Sequence, residues 1–254
     1  MTPARGSAGA VRVAAHVHSS WSYDADWSLP DIARAFRRRR YDVVLMSEHD
    51  RGFDQQRWAD YQQACKAAST GDILLVPGVE YEDADNVVHT PVWGENVPFL
   101  GAARPTLELL QSAHAAGAVA VLAHPWRRNA ISRYQPEWAP LLSAVEIWNR
   151  KYDGIAPHRQ AAALAETEGF APFAALDFHT SRQFFPLAMS VSLDRGPSAA
   201  SLVEAIRLGQ CRPEFLGISA LRFTGGLEGA TLHCLEAVRR GLRGPLRRIQ
   251  RAAG

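Results

Sequence analysis

The feature that most constrains the fold of this chain is an alternation of short apolar runs with segments of helical spacing. Runs rich in β-branched residues occur at 11–17, 41–47, 72–80, 86–93, 118–124, 144–148, 171–177 and 187–193. Helical spacing is found at 28–40, 53–70, 105–117, 157–169, 198–209 and about 227–240. Continuously apolar strands separated by helices predict parallel strands buried on both faces. Eight strands in 254 residues favour one α/β barrel domain over an open doubly wound sheet.

Composition and charge exclude several classes of protein. No apolar run approaches the roughly 20 residues of a membrane span, and the first ten residues hold no apolar stretch for a secretory signal, so we expect a cytoplasmic protein. Cys65, Cys211 and Cys234 are scattered and odd in number, which argues against a disulfide framework and a Cys-based zinc site. The net charge is +2, and six arginines lie between residues 239 and 251, so this segment carries the basic excess of the chain. We interpret this basic tail as a solvated terminus rather than a contact for nucleic acid or membrane.

Polar side chains collect where the predicted strands end, which is where barrel enzymes carry their chemistry. Six of the nine histidines lie at or near such ends, together with carboxylates. So many polar groups would be costly to bury side by side without partners, whereas coordination to metal offsets that cost. The candidate metal ligands are His16, His18, Asp24, His49, Glu80, His89, His124, Asp177 and His179.

The donor types indicate which metal ions would bind. Imidazole and carboxylate without thiolate suit Mn²⁺, Zn²⁺ or Fe²⁺ better than Ca²⁺ or Mg²⁺ alone. Nine candidate ligands exceed the needs of one ion, so we expect two or three divalent ions with a bridging carboxylate. Asp24 lies in a loop, and Asp26 is the alternative to it. Glu146 either orients a ligand histidine or binds metal itself, and we favour the orienting role.

These residues resemble, in order along the chain, the motifs of the PHP (polymerase and histidinol phosphatase) domain family. The matching segments are His16-Val17-His18 with Asp24, Ser47-Glu48-His49-Asp50, Gly78-Val79-Glu80, His89, His124-Pro125 and Asp177-Phe178-His179. Glu48 stands where the family usually has Asp, and we expect it to act behind the ligand His49. Each motif is weak alone, but the ordered set spans residues 11–180.

The resemblance implies a stand-alone metal-dependent phosphoesterase with a distorted (β/α)7 TIM-like barrel in a single domain. It leaves open whether the eighth apolar run joins the barrel. We expect the barrel at 11–220, followed by a C-terminal helix and basic tail at 221–254. The family pattern implies catalytic roles for Glu80, Asp177 and His179, with Glu80 as the bridge. The expected nucleophile is a hydroxide activated by a two- or three-metal site.

The substrate-binding residues are predicted from cations that directly follow strand ends. These cations are Arg51, Arg127, Arg128, Arg150, Lys151 and Arg182. Arg127 and Arg182 are the preferred pair, because each lies three residues past a candidate ligand, and Arg51 and Arg150 are further candidates. The expected substrate is a phosphomonoester, a nucleotide or a short oligonucleotide. We expect no membrane partner and no obligate protein partner.

Two alternatives remain open from the sequence. A metal-dependent amidohydrolase-like enzyme is similar in its HxH motif but typically adds a carbamylated lysine at a strand end, where no lysine is expected here. Lys66 falls within a predicted helix and Lys151 beyond the sixth strand. A non-catalytic metal-binding PHP module is disfavoured, because none of the motif's ligands is missing.

Overall fold

The computed structural model describes residues 9–194 and 196–252, in which β-strands and α-helices alternate for most of the length. The strands are β1 Gly9–Val17, β2 Val43–Met46, β3 Glu48–His49, β4 Leu74–Val76, β5 Gly78–Glu82, β6 His89–Trp93, β7 Val119–Leu122, β8 Ala144–Asn149, β9 Ala171–Ala175, β10 Leu187–Leu193, β11 Cys211–Phe215 and β12 Ile218–Ser219. The α-helices are α1 Leu29–Arg38, α2 Gln55–Ala68, α3 Thr106–Ala115, α4 Arg159–Glu168, α5 Ala199–Arg207 and α6 Gly226–Ala252. Short 3₁₀ helices lie at Arg127–Arg133, Pro136–Leu141, Ser181–Gln183 and Ala220–Phe223.

The strands form two mixed six-stranded sheets, and the described residues do not show a closed barrel. One sheet has the order β12-β11-β10-β1-β2-β4 and the other β3-β5-β6-β7-β8-β9. The expectation of parallel strands throughout is wrong. Strand β6 runs antiparallel to both of its neighbours, and β10, the eighth apolar run, is antiparallel to β1.

Two local features explain these differences. The predicted strand 72–80 is two strands, because Pro77 lacks the amide hydrogen that a continuous ladder requires. As a result β4 pairs with β2 in one sheet, and β5 pairs with β3 in the other. Only residues 83–88 connect β5 to β6, and so short a connection permits a hairpin but no parallel crossover.

The two sheets meet beside the carboxyl end of β1. The amide of His18 donates to the carbonyl of Phe178 at 2.9 Å, and the amide of Phe178 donates to the carbonyl of His16 at 3.0 Å. The interior behind this junction is filled by fully buried side chains, which include Phe36, Trp93 and Phe173. The end of β1 and the segment after β9 are thereby held side by side on a packed core.

The predicted helices 28–40, 53–70, 105–117, 157–169 and 198–209 are confirmed to within about two residues at their ends. Helix α1 starts after Ser28, whose side chain caps it by accepting from the amide of Asp31. The last helix is longer than predicted, since α6 continues past Gly241 and Pro245 to Ala252. The side chains of the basic tail from Arg243 onward, and residues 1–8, lie outside what the structure describes. Within the described residues, no helix has the length and apolar character required to cross a membrane.

Helix α6 is attached to the segment after β8 through a buried charge. The side chain of Glu236 accepts from the amide of Ile155 at 3.1 Å and pairs with Arg239 and Arg240 at 2.5 and 2.6 Å. Burial alone would raise the pKa of Glu236, but the two guanidinium groups outweigh it and lower the pKa to about 2. The carboxylate is therefore ionised in the folded protein at neutral pH.

This ion pair predicts a pH-dependent difference between the wild type and Glu236→Gln. Because the folded-state pKa is about 2 instead of 4.5, the stabilisation by Glu236 is complete above pH 4.5 and is lost as the pH falls toward 2. At pH 7 the variant should melt about 2–4 °C below the wild type, and at pH 3 the gap should be clearly smaller. Thermal unfolding of both proteins at each pH measures it. A gap that is constant with pH would contradict the assigned ionisation.

Candidate metal centre

One end of the two sheets carries a cluster of buried imidazoles and carboxylates. The side chains come from strand ends and from the residues that follow them. Eight of the nine candidate ligands are buried there: His16, His18, His49, Glu80, His89, His124, Asp177 and His179. His89 joins them although it begins its strand, because β6 is antiparallel and its first residue lies at the edge where its neighbours end.

The ligand atoms of this cluster fall into overlapping sets of three that could each hold a metal ion. Within each set the atoms lie within 4.8 Å of one another. We call His18, His49 and His179 the first group, and His16, His124 and Asp177 the second group. The two further sets are His16, His18 and Glu80, and Glu80, His89 and His124.

Glu80 lies between the first and second groups and turns one oxygen toward each. Its Oε2 is 3.5 Å from Nε2 of His18 and 3.3 Å from Nδ1 of His49. Its Oε1 is 3.1 Å from Nε2 of His16 and 3.2 Å from Nε2 of His124. A carboxylate in this position has the geometry to share two cations.

Asp24 is the ninth candidate ligand, and its side chain is one-third exposed. Its Oδ1 lies 3.3 Å from Nε2 of His49, and its Oδ2 lies 3.1 Å from Nε2 of His179. The structure therefore brings Asp24, and not the alternative Asp26, to the solvent side of the first group.

Several buried ring nitrogens of the cluster lack a hydrogen bond, which suits them to binding a cation. Nε2 of His16, Nε2 of His18 and both ring nitrogens of His49 are buried without a hydrogen bond. Burial, reinforced by the neighbouring His179 and His49, holds the pKa of His18 well below its usual value, so its ring is neutral. His18 thus offers a neutral ring nitrogen among carboxylates, and imidazole with carboxylate is the donor set that Zn²⁺, Mn²⁺ and Fe²⁺ take.

Protons and cations compete for this cluster. Burial would lower the pKa of His16, but Glu80 and Glu146 outweigh it and raise that pKa well above its usual value. Burial would raise the pKa of Glu80, but His16 and His89 hold it well below its usual value. Since metal ligands must be deprotonated, metal binding releases the proton on His16 and strengthens as the pH rises.

Glu146 on β8 orients two candidate ligands from behind. Its Oε1 accepts from Nδ1 of His16 at 2.7 Å, and its Oε2 accepts from the amide of His124 at 2.9 Å. Asn149 donates to the same Oε2 at 2.8 Å. With Nδ1 of His16 engaged in this way, its Nε2 is the nitrogen left for a metal, as in other carboxylate–histidine–metal arrangements.

We expect Glu146→Gln to weaken divalent metal binding about 10- to 100-fold, because the ligand histidines lose the charge that orients them. Titration of the metal-free protein with Mn²⁺ measures the change. The matched control is Glu166→Gln on α4, away from the cluster. An unchanged affinity in Glu146→Gln would contradict the orienting role.

Glu48, the departure from the usual motif, supports the first group through serines. Its carboxylate accepts from the Ser19 hydroxyl at 2.6 Å and the Ser22 hydroxyl at 2.5 Å. The Ser22 oxygen in turn lies 3.3 Å from Nδ1 of His18 and accepts from the amide of His49 at 3.1 Å. Glu48 thus acts behind the candidate ligands.

Three candidate ligands have left-handed backbone conformations, which non-glycine residues rarely adopt. The φ angles are 61° at His16, 27° at His124 and 48° at Asp177. All three belong to the second group. Such strain persists where the surrounding structure imposes it, and it concentrates at functional sites.

Of the predicted substrate-binding residues, Arg127 is the one that lines the pocket over the cluster. This pocket opens to solvent, and its empty volume of about 260 Å³ includes part of that solvent. Arg127 donates to Nε2 of His89 at 2.9 Å, to Oδ1 of Asn86 at 2.6 Å and to the hydroxyl of Tyr152 at 3.0 Å. Its guanidinium is thereby fixed at the edge of the cluster.

The other three predicted arginines are placed elsewhere, and none of them lines this pocket. Arg51 lies 5.3 Å from the ring centre of Tyr23, and Arg150 lies 4.7 Å from that of Phe185. Arg182 is exposed in a short 3₁₀ helix that Thr180 caps.

Lys151 is the cation that the sequence analysis did not select for substrate binding. Its ammonium lies 3.3 Å from Oδ1 of Asp177 and 3.1 Å from Nε2 of His179, and it lines the pocket. Burial would lower the pKa of Lys151, but Asp177 and the other carboxylates outweigh it and raise it. Its position two residues after β8 was the available sequence signal. Tyr23, Glu82, Asn86 and Tyr152 also line the pocket and were not predicted as site residues.

Comparison with known proteins supports the fold. No family model matches the chain, and a search of the curated proteins finds no match. Among solved structures, a two-domain protein from Bacteroides vulgatus ATCC 8482, which contains a predicted PHP-like metal-dependent phosphoesterase, is similar with a TM-score of 0.59 and 16% identity over 85% of this chain and 67% of that one. PsfC from Pseudomonas syringae PB-5123 is similar with a TM-score of 0.63 and 15% identity over 92% and 98%. An amidohydrolase from Chromobacterium violaceum, with bound sulfate and no metal, has a TM-score of 0.51 and 12% identity over 78% and 96%.

At these identities the comparisons show a shared mixed α/β fold. Two of these neighbours are described as a protein that contains a predicted PHP-like metal-dependent phosphoesterase and as an amidohydrolase. This chain combines their fold with histidine and carboxylate groups that could hold metal ions.

Proposed function

We propose that this protein is a metal-dependent hydrolase of phosphate esters with a PHP-type site. The observation that carries the proposal is the position of Lys151 and Arg127 beside buried metal-ligand groups, in one pocket. Residues 11–220, in a distorted (β/α)7-type arrangement, would carry the site, and 221–254 would supply the C-terminal helix and basic tail. The motif resemblance and the fold of the phosphoesterase neighbour support the same reading.

The donor arrangement supports at least two divalent ions, with Mn²⁺, Zn²⁺ or Fe²⁺ as the candidates. Each imidazole nitrogen binds a single metal ion. Sets of three that use the same nitrogen of one histidine therefore cannot all hold an ion at the same time. The first and second groups share no residue, and Glu80 would bridge their ions through its two oxygens. A third ion would depend on His89 together with Glu80.

Two cationic side chains would bind the phosphate group and compensate its negative charge. Bound divalent ions supply Lewis acidity and a low pKa for bound water, which provides a hydroxide nucleophile at neutral pH. Lys151 would donate to a phosphoryl oxygen from beside Asp177 and His179, and Arg127 would do so from beside His89. Their positive charge lies where negative charge increases as the phosphorus–oxygen bond breaks.

The pocket suits a small phosphorylated substrate or the end of a short oligonucleotide. The pocket opens to solvent, so a phosphate could reach the cluster while the rest of the substrate stays outside. Tyr23 and Tyr152 line it as well, with their rings packed against His49 and His124. We therefore favour a terminal phosphate, in a phosphomonoester, a nucleotide or a short oligonucleotide.

An amidohydrolase-like reaction is the second candidate, because one structural neighbour is an amidohydrolase and a lysine does line the pocket. Carbamylation requires a neutral amine, whereas the carboxylates near Lys151 outweigh its burial, raise its pKa and favour the ammonium form. An ammonium suits an anionic substrate, and this favours phosphate esters.

The cysteines suit the proposed cytoplasmic location. Cys65 and Cys211 are buried as free thiols, and Cys234 is exposed as one. Free thiols persist in a reducing compartment.

The test is hydrolysis of p-nitrophenyl phosphate and bis(p-nitrophenyl) phosphate by Mn²⁺-loaded protein. We expect turnover of at least one ester, abolished by a chelator, restored by Mn²⁺, and absent in His16→Ala that remains folded. An amide-hydrolysing protein would cleave neither ester. Retention of bound Mn²⁺ without turnover of any ester or amide would indicate a non-catalytic metal-binding module.

A further inference from the structure

The turn at residues 150–155, which we call the β8 turn, has one side in the pocket. Lys151 contacts Asp177 and His179 there at 3.3 and 3.1 Å. The ring of Tyr152 packs against His124 with their centroids 4.7 Å apart. Any displacement of this turn therefore moves a cation and an aromatic ring relative to the candidate metal ligands.

The opposite side of the β8 turn is held by α6. Glu236 Oε2 accepts from the amide of Ile155 at 3.1 Å. Arg240 donates to the carbonyls of Tyr152 and Asp153 at 3.0 and 3.2 Å. The approach is close at Gly154, where φ is 80° and a Cβ would overlap the side chains of Glu236 and Arg239. Glycine accommodates both the positive φ and the lack of room for a Cβ.

A second attachment of the turn comes from Asn149 at the end of β8. Its Oδ1 accepts from the amides of Lys151 and Tyr152 at 3.0 and 3.2 Å. Its Nδ2 donates to Glu146 and Asp177 at 2.8 and 3.2 Å. The turn is thus held between the site on one side and α6 on the other.

The contact with α6 is a specific one. Glu236 is only 5% exposed, and a buried charge requires the partners that it has here in Arg239 and Arg240. Charge-assisted hydrogen bonds to main-chain groups are directional, and they fix where the turn lies.

We propose that Glu236 and Arg240 are positioning residues, through which α6 holds the β8 turn so that Lys151 and Tyr152 face the phosphate. The assignment of this contact to phosphate binding rests on the proposed phosphoesterase function. The candidate metal ligands come from other segments, so we expect metal binding to be independent of the α6 contact.

The experiment uses full-length Mn²⁺-loaded protein with Arg240→Met and Glu236→Gln. Arg240→Met removes the donor to the two carbonyls and leaves Glu236 paired with Arg239, so it keeps the buried charge neutralised. We expect the Kd for inorganic phosphate to rise about tenfold, because small displacements of a binding group have large effects. Amide hydrogen exchange at 151–155 should become faster, while metal content stays at the wild-type value. Arg240→Lys should recover part of the phosphate affinity.

The control is Glu228→Gln on the same helix, which removes an exposed ion pair with Arg222 away from the turn. It should leave phosphate affinity and exchange at 151–155 unchanged. Wild-type phosphate affinity in both test variants would overturn the proposal, even if exchange became faster. A wild type that hydrolyses no ester, with test variants that bind phosphate more weakly, would reject the hydrolase function and still support the positioning role.

Discussion

Replacing Glu80 by Gln is expected to lower kcat/KM for a phosphate ester by at least about 10³-fold and to reduce the number of tightly bound divalent ions. Glu80 presents Oε2 to the first group and Oε1 to the second, at 3.1–3.5 Å from the histidine nitrogens of those two groups. The amide of Gln has one acceptor oxygen, a donor nitrogen and no charge. Steady-state kinetics and metal analysis of Mn²⁺-loaded protein measure the two effects.

The matched control for this change is Glu108→Gln, an exposed glutamate on α3. It should retain wild-type kinetics and metal content. Glu80→Asp keeps the charge on a shorter side chain and should retain more metal than Glu80→Gln. A folded Glu80→Gln that holds the full complement of ions and turns over at the wild-type rate would reject the bridging role.

Lys151→Met should lower kcat/KM about 10²- to 10³-fold with little change in metal content. Lys151 offers no metal-ligand atom as an ammonium, but it is the cation beside Asp177 and His179 in the pocket. Its loss removes positive charge where the phosphoryl oxygens would lie. Kinetics and metal analysis on the same sample separate the two quantities.

The chain offers a close control, because its one other lysine is Lys66, exposed at the end of α2. Lys66→Met should behave as the wild type. If Lys151→Met lost metal in proportion to activity, Lys151 would act by supporting Asp177, and its assignment as a phosphate-binding cation would be wrong.

The donor cluster could be foreseen because its residues follow the apolar runs. The end of an apolar run marks the end of a buried strand. His124 and Asp177 follow such runs, so they are placed near strand ends whether the strand is parallel or antiparallel to its neighbours. Direction itself is not encoded in an apolar run, so β6 and β10 were predicted with the wrong orientation. The short connection at 83–88 was the signal for the first of these.

The cations of the pocket were harder to predict. Arg182 and Arg127 were ranked by their distance along the chain from a candidate ligand, but that distance does not give side-chain direction. Thr180 caps a 3₁₀ helix that leaves Arg182 exposed, whereas Lys151 is directed inward by a turn whose amides bind Asn149. Such turn geometry depends on contacts with α6 that are distant in sequence.

The β5–β6 hairpin allows metal binding and substrate range to change separately. Cross-strand pairing of Glu82 with His89 sets where the donors of these two strands lie, while Asn86 in the connecting turn lines the pocket. Exposed turns tolerate insertions and deletions that paired strands do not. Lengthening or shortening 83–88 would therefore reshape the pocket while the donor atoms kept their register, so relatives could differ in what they bind without rebuilding the candidate metal centre.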